Sequence, residues 1–411
     1  MKNISFSSHK VETVIDVLLL FFFSTLLTVS QRNFYFVVPA LLLFGSLGFC
    51  LYQAVVSGFS LSREQRLVSY TFAIYSLVCL SIGLLHGDPF NSIKFELLPI
   101  VLLPVFWLFT NFLRRAQAVY CIFPIATLLT ALVAGYDKYG LGIERALEPQ
   151  QPVIPAAGIV MTFSLFCLVF FFKSYQKNVS YSLVALTSFV FGLIASILTE
   201  SRGAWICLPV VLVGLLWHFW PHIPAFVKKL LIPITISLLL IALVFLNTGI
   251  VHRLEQVKTD LVWYFVNHNA NSSIGLRFEF WKSALDGFLQ KPLWGWGVAD
   301  YLSLKELQVE RGLIIPQALP FVHAHNQFLD VLVKKGIFGL LSTIGLFLLP
   351  MRFYIRYWSK SSLVSMLGCI LIFNVFTFCL TDSFLRLPLG MIFYVVTNYL
   401  LLGFLLRHDA P

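Results

Sequence analysis

Residues 180–220 read SYSLVALTSFVFGLIASILTESRGAWICLPVVLVGLLWHFW, and this stretch decides the fold class. It is apolar throughout except for Thr199-Glu200-Ser201-Arg202-Gly203 near its middle. A helix needs about 20 apolar residues to cross a bilayer core, so the stretch holds two spans joined by a turn with no room for a loop. Arg202 is therefore expected at, or slightly below, the membrane surface, where a charge is expensive and marks a candidate functional site. Two blander readings compete: the side chain snorkels to the interface, or it pairs with Glu200 across the turn. Gly203 beside it admits close approach of a ligand to the backbone.

The rest of the chain repeats this pattern. Its 411 residues are 58% hydrophobic and 12% charged, with a mean hydropathy of +0.85. A soluble domain carries about 25% charge. The 41 phenylalanines exceed what a water-soluble core of this size could hide. Disorder, collagen, coiled coil and a disulfide scaffold are excluded with it. Twelve stretches qualify as spans, at roughly 13–31, 34–58, 67–86, 95–113, 116–135, 153–172, 180–199, 203–220, 229–247, 333–351, 363–381 and 388–406. The chain reads as an all-α integral membrane protein of about twelve transmembrane helices. No small-residue cleavage site follows the first stretch, which reads as an uncleaved span. The seven cysteines, Cys50, Cys79, Cys121, Cys167, Cys207, Cys369 and Cys379, all lie in apolar stretches without CxxC spacing, as small buried hydrophobes do.

The net charge of +10 lies in small basic groups between spans, which argues for membrane orientation and against nucleic acid. With the N-terminus inside, 14 basic residues fall on the cytoplasmic side: Lys2, Lys10, Arg63, Arg66, Arg114, Arg115, Lys173, Lys177, Lys228, Lys229, Arg352, Arg356, Lys360 and Arg407. The opposite set is 6: Arg32, Lys94, Lys138, Arg145, Arg202 and Arg386. Both termini are thus expected in the cytoplasm, and the one long polar segment, 248–332, on the far side, the periplasm of a Gram-negative cell. The chain divides into spans one to nine (1–247), this external loop with most of the active site (248–332), and spans ten to twelve (333–411). No GxxxxGK[ST] or GxGxxG occurs, and nucleotides are absent outside the cell, so any group donor must be membrane-borne.

Three external patches carry polar or aromatic detail. In Asn269–Lys282 (NANSSIGLRFEFWK), Ser272 or Ser273 is a candidate N-cap for a helix with Arg277 in its first turns. The bland reading of Arg277 is a surface salt bridge to Glu279 or Asp286. Lys291–Gly297 (KPLWGWG) is a Pro/Gly-broken turn whose Trp294 and Trp296 read as interfacial anchors or a sugar-stacking platform. In Phe321–Leu340 (FVHAHNQFLDVLVKKGIFGL), His323 and His325 precede Asn326 at the mouth of span ten. No carboxylate lies within a turn of them, so a metal is not expected; a histidine there is a candidate general base. Lys334, Lys335, Gly336 and Gly339 read as helix-packing and interface features.

Taken together, SRGAW at 201–205, GLRFEFW at 275–281, KPLWGWG at 291–297 and VHAHNQFLDVLVKKGIFGL at 322–340 resemble the bacterial O-antigen ligase / O-antigen polymerase family. The resemblance implies a GT-C-like polytopic glycosyltransferase of the bacterial inner membrane. The implied activity is transfer of a polysaccharide from undecaprenyl pyrophosphate to a sugar hydroxyl of lipid A–core, without metal or other cofactor. It places the family's essential arginines on Arg202 and Arg277 and its histidine on His325, with His323 and Asn326 in supporting, substrate-binding roles. The residue types suit the chemistry. A departing pyrophosphate needs fixed cationic donors, and arginine's planar fork fits phosphate oxygens two at a time. The chain has no DxD motif for a divalent ion, so arginines would stand in for metal. Only the acceptor hydroxyl then needs a base, and one displacement inverts the anomeric centre. An O-antigen polymerase of the same fold is the alternative; a lipid-linked sugar transporter is a third reading, against which no internal half-repeat is found.

Overall fold

The computed structural model describes residues 8–30, 33–56, 60–114, 116–223, 258–267 and 269–407, and these are helical, without strands among the described residues. The membrane helices are α1 Ser8–Thr25, α2 Val37–Val56, α3 Arg63–His86, α4 Phe90–Phe112, α5 Val119–Gly135, α6 Val153–Ser174, α7 Val179–Leu198 and α8 Cys207–Phe219. After the segment 258–332, which contributes α9 Ser273–Gln290 and α10 Tyr301–Glu310, follow α11 Gln327–Arg356, α12 Ser362–Cys379 and α13 Pro388–Leu405. Ten of these stretches are long and apolar enough to cross a membrane. Helix α1 matches the first expected span but carries Lys10, Glu12 and Asp16. The ninth expected span, 229–247, lies outside the described residues.

Helices α6 and α13 are apolar all round, so no face of either is suited to water, and each is buried over 94% of its membrane window. They form the centre of the bundle. Helices α2 and α8, 28% buried, lie at its rim. Helix α11 spans thirty residues, about 45 Å, more than a bilayer core requires. It breaks at Gly336, whose φ of 62° and ψ of −161° are non-helical. The break lets the KPLWGWG turn dock: Trp296 N–H donates to Val333 O (2.9 Å), Gly297 N–H to Lys334 O (2.8 Å) and Ile337 N–H to Pro292 O (2.8 Å). A Cβ on Gly336 would lie 2.3 Å from Leu293 O, and one on Gly295 2.4 Å from the Lys334 carbonyl carbon.

The described members of the two sets of basic loops fall at opposite ends of the bundle. At one end Arg114 N–H donates to Glu12 (2.7 Å), Gln65 Nε2 to Leu406 O (3.0 Å) and Lys173 Nζ to Ser362 Oγ (2.7 Å). At the other, Lys335 pairs with Glu96, Lys138 with Glu200 (3.0 Å), and Asp88 Oδ1 accepts from the amides of Val298 and Ala299 (2.8 Å each). A second apolar core, built on Phe280, Ala284, Leu304, Ala318 and Val333, binds the 258–332 segment to the start of α11 at this end.

Candidate active site

Asn326 starts α11. Its Oδ1 accepts from the amides of Phe328 (3.0 Å) and Leu329 (3.1 Å), which have no partner within the helix. Its Nδ2 donates to Leu380 O (3.2 Å), and next to it Gln327 Oε1 accepts from the amides of Leu385 (3.0 Å) and Arg386 (3.3 Å). These bonds clamp the turn between α12 and α13 against the mouth of α11, and that clamp delivers Asp382 to the histidines. Asp382 Oδ1 lies 3.4 Å from His325 Nδ1 and 3.9 Å from His323 Nδ1. His325 Nδ1 is buried with no better-aligned partner. Its own backbone N–H donates to His323 Nδ1 (3.3 Å).

The histidine loop is held from below by charge. Asp330 Oδ1 accepts from Ala324 N–H (3.1 Å) and pairs with Lys334 (2.8 Å), whose ammonium also donates to Val322 O (2.8 Å). Lys305 donates to the carbonyls of Ala318, Leu319 and Phe321. So constrained, His325 adopts a φ of 48°, a left-handed conformation that side chains other than glycine adopt only when the surroundings impose it. Burial and then the neighbouring His325 push His323 down from 6.5 to about 4, so it is neutral near pH 7. Burial would raise Asp382, but its contacts with His325 and the Ser383 amide outweigh it and hold the carboxyl below its ordinary value. Burial, followed by Lys334, lowers Lys305 to about 8.

GLRFEFW reaches this loop, and SRGAW reaches the Asp382 turn beside it. Ser272 Oγ caps α9 by accepting from Gly275 N–H (3.0 Å). One face of α9 then lays Phe280 on the His325 ring (centroids 5.7 Å, 25°), while Trp281 Nε1 donates to Ala324 O (3.2 Å). Arg277 precedes Phe280 by three residues, on the same face of the helix. It is half-buried and, among the described residues, makes no ion pair. The bland reading fails because its partners are taken: Glu279 binds Lys282 (2.7 Å), Tyr264 and the Ile315 amide, and Asp286 binds Gln290 and Gln308. The turn of Arg202 packs on the Asp382 turn from the other side, where a Cβ on Gly203 would lie 2.7 Å from Thr381 Oγ1. The Arg202 side chain lies outside the described part. Glu200 is paired with Lys138.

A cleft of about 190 Å³ opens over the histidines, walled by Pro152–Pro155 at the start of α6, His323, His325, Asp382, Ser383, Arg386 and Leu387. Asp382 and Gln327 are not among the residues the sequence singles out, and Arg386 enters there only as one of the external basic residues. An acid in the short turn after an apolar span is the same signal that marks Arg202, and it would have marked Asp382. Local spacing offers the histidines no carboxylate, but the fold does: Asp382 comes within 4.8 Å of both, and the three together could hold a metal ion.

The family model described as O-antigen ligase matches residues 187–344. This stretch of the chain is similar to an O-antigen ligase domain. The match begins in α7 and ends in α11, so it includes both arginine motifs and both histidines. A protein of Haemophilus influenzae described only as uncharacterized is 29% identical over 394 residues, covering 92% of this chain and 95% of its own. The O-antigen ligase of Escherichia coli is 23% identical over 304 residues, 71% of this chain and 70% of the relative. A ComP-specific O-oligosaccharyltransferase of Acinetobacter baylyi is 26% identical over 212 residues, 48% of this chain and 35% of the relative. The matched stretch thus sits in a polytopic helical membrane protein, and two of these relatives are named as an O-antigen ligase and an O-oligosaccharyltransferase.

Proposed function

We propose that the protein transfers a saccharide from undecaprenyl pyrophosphate to a sugar hydroxyl of lipid A–core, on the outer face of the bacterial inner membrane. The observation that carries this reading is the meeting of His325 and Asp382 at 3.4 Å in one cleft, with Phe280 of GLRFEFW on the His325 ring and Gly203 of SRGAW against Thr381, next to Asp382. The acceptor oxygen attacks the anomeric carbon, the bond from that carbon to the pyrophosphate oxygen breaks, and the hydroxyl proton passes to His325 Nε2. Nδ1 faces Asp382, so Nε2 is the nitrogen left for the acceptor, and the carboxylate stabilises the imidazolium as it forms. Neutral His323 adds no competing positive charge beside it. Arg202 and Arg277 stabilise the departing pyrophosphate, which leaves without protonation, and the single displacement inverts the sugar. The N-terminus of α6 adds its partial positive charge at the cleft wall.

In this reading the segment 248–332 supplies Arg277 and the two histidines, while Arg202 and Asp382 come from turns between spans. Asn326, its side chain engaged with three backbone groups, acts as a positioning residue. A reporter fused near Gly312 is expected to be active only outside the cytoplasm; cytoplasmic activity would overturn the arrangement. Transfer by the purified protein is expected to persist in excess EDTA. Loss restored by Mg²⁺ or Mn²⁺ would assign His323, His325 and Asp382 to a metal instead. Deletion of the gene tests the acceptor: long chains missing from core but retained on the carrier lipid support the ligase, and single repeats on core make it a polymerase.

A further inference from the structure

Two larger clefts flank the histidine cleft, and each shares a wall with it. One, of about 390 Å³, shares Pro152 and Val153 and is lined by neutral Asn33, Tyr35 and Gln150 together with the acid Glu148. The other, of about 360 Å³, shares Arg386 and Leu387 and is lined as well by two lysines, Lys334 and Lys335, and two acids, Glu96 and Asp330. The charges of this second cleft are unequally committed. Lys334 is paired with Asp330 and Lys335 with Glu96, both pairs buried among backbone carbonyls and helix contacts. Arg386 is half-buried, is joined to the scaffold by its backbone N–H on Gln327, and makes no ion pair among the described residues. A guanidinium left over at a wall shared by two clefts is a fixed anion receptor. Lys94 donates to Asn91 Oδ1 (3.0 Å), and Asn91 lines this cleft, so a further positive charge lies one residue behind its wall.

A two-substrate transfer needs one binding place on each side of the base, and these two places differ in charge. We propose that the Arg386 cleft is the acceptor subsite and takes an anionic saccharide, a sugar phosphate, with Arg386 as the residue that selects it. A phosphate held by Arg386 on one side of the shared wall puts a neighbouring sugar hydroxyl within reach of His325 on the other. The proposal rests on the transferase reading above. The donor's pyrophosphate is assigned to Arg202 and Arg277, so Arg386 acts on the second substrate alone.

The test uses the full-length protein in nanodiscs, an undecaprenyl-pyrophosphate-linked saccharide as donor, and a lipid-linked core saccharide as acceptor, intact or stripped of its phosphates. The readout is the ratio of kcat/KM for the intact over the stripped acceptor. The parent is expected to prefer the intact acceptor by about tenfold to hundredfold, the size of one charge-assisted contact to phosphate. Arg386→Gln is expected to bring the ratio near one, and Arg386→Lys to leave it between the two. The ratios are expected to agree in nanodiscs of zwitterionic and of anionic lipid. An unchanged ratio in Arg386→Gln overturns the proposal. So does a rise in donor KM instead, which would give Arg386 to the pyrophosphate, or a ratio that follows lipid charge, which would give it to a lipid headgroup. Failure of the base assignment is distinguishable: His325→Ala would then transfer normally, whatever the Arg386 ratio does.

Discussion

Two kinds of motif contact lie at the same end of the bundle, and they serve different purposes. KPLWGWG docks on the broken start of α11 through backbone bonds, with Lys291 3.9 Å over the Trp296 ring and Trp294 against Phe338 (4.7 Å). The amides of Gly295, Trp296 and Gly297 and the Trp296 indole N–H are all hydrogen-bonded, and the turn serves as scaffold. Where SRGAW meets the Asp382 turn and GLRFEFW meets VHAHN, satisfaction is incomplete: His325 Nδ1 faces Asp382 at 3.4 Å without a well-aligned hydrogen bond, and Arg277 and Arg386 have no ion-pair partner among the described residues. Burial of polar groups without full pairing destabilises a fold and persists where a ligand completes the pairing. All four motifs look alike as text; the contrast in satisfaction is what separates scaffold from chemistry.

The scaffold half of this contrast breaks most severely at Gly336. Gly336→Ala forces a Cβ against the backbone of Leu293 at a positive φ, and the expected destabilisation exceeds about 4 kcal/mol. Folded protein recovered from the membrane should fall sharply, while transfer per folded molecule stays near the parent's. A selective loss of transfer would move the turn into the site. On the chemical half, Asp382→Asn keeps the shape and removes the charge facing His325. Transfer per folded molecule should drop by about 10²- to 10³-fold with little change in yield. Arg277→Ala should raise the donor KM by about tenfold to hundredfold, because one fork on pyrophosphate is lost. An unchanged donor KM would return Arg277 to a structural role.

The smallest effect concerns pH. His323 titrates near 4 in the fold against 6.5 for a free side chain, so between those values the unfolded chain takes up a proton that the native one refuses. Stability is therefore complete above about 6.5 and falls as pH drops toward 4, by at most about 1.4 kcal/mol per pH unit. Comparing unfolding temperatures at about pH 7 and about pH 5 should show a smaller difference in His323→Asn than in the parent. An equal difference in the two proteins would detach the slope from His323.

Much of this architecture is legible before any coordinates. Hydropathy alone places eleven of the expected spans on described helices, since lipid enforces long apolar runs. The Ser272 cap follows from local chemistry, as does the helix that carries Arg277. Asp382 is not legible in this way. It lies far along the chain from His325, and its approach depends on Asn326 and Gln327 reaching across to the 380–387 turn. The docking of KPLWGWG hides for a related reason: it requires a non-helical Gly336 inside a stretch whose apolar pattern reads as continuous helix. Local pattern finds elements and caps; side chains that join elements distant in sequence need the fold.

The central claim is that the His325–Asp382 pair moves the acceptor's proton, and His325→Ala tests it most directly. Transfer per folded molecule, scored together with binding of the undecaprenyl-linked donor, should fall by about 10²- to 10⁴-fold while donor binding persists. Transfer at the parent rate per folded molecule, or a loss matched by an equal loss of folded protein, would contradict it.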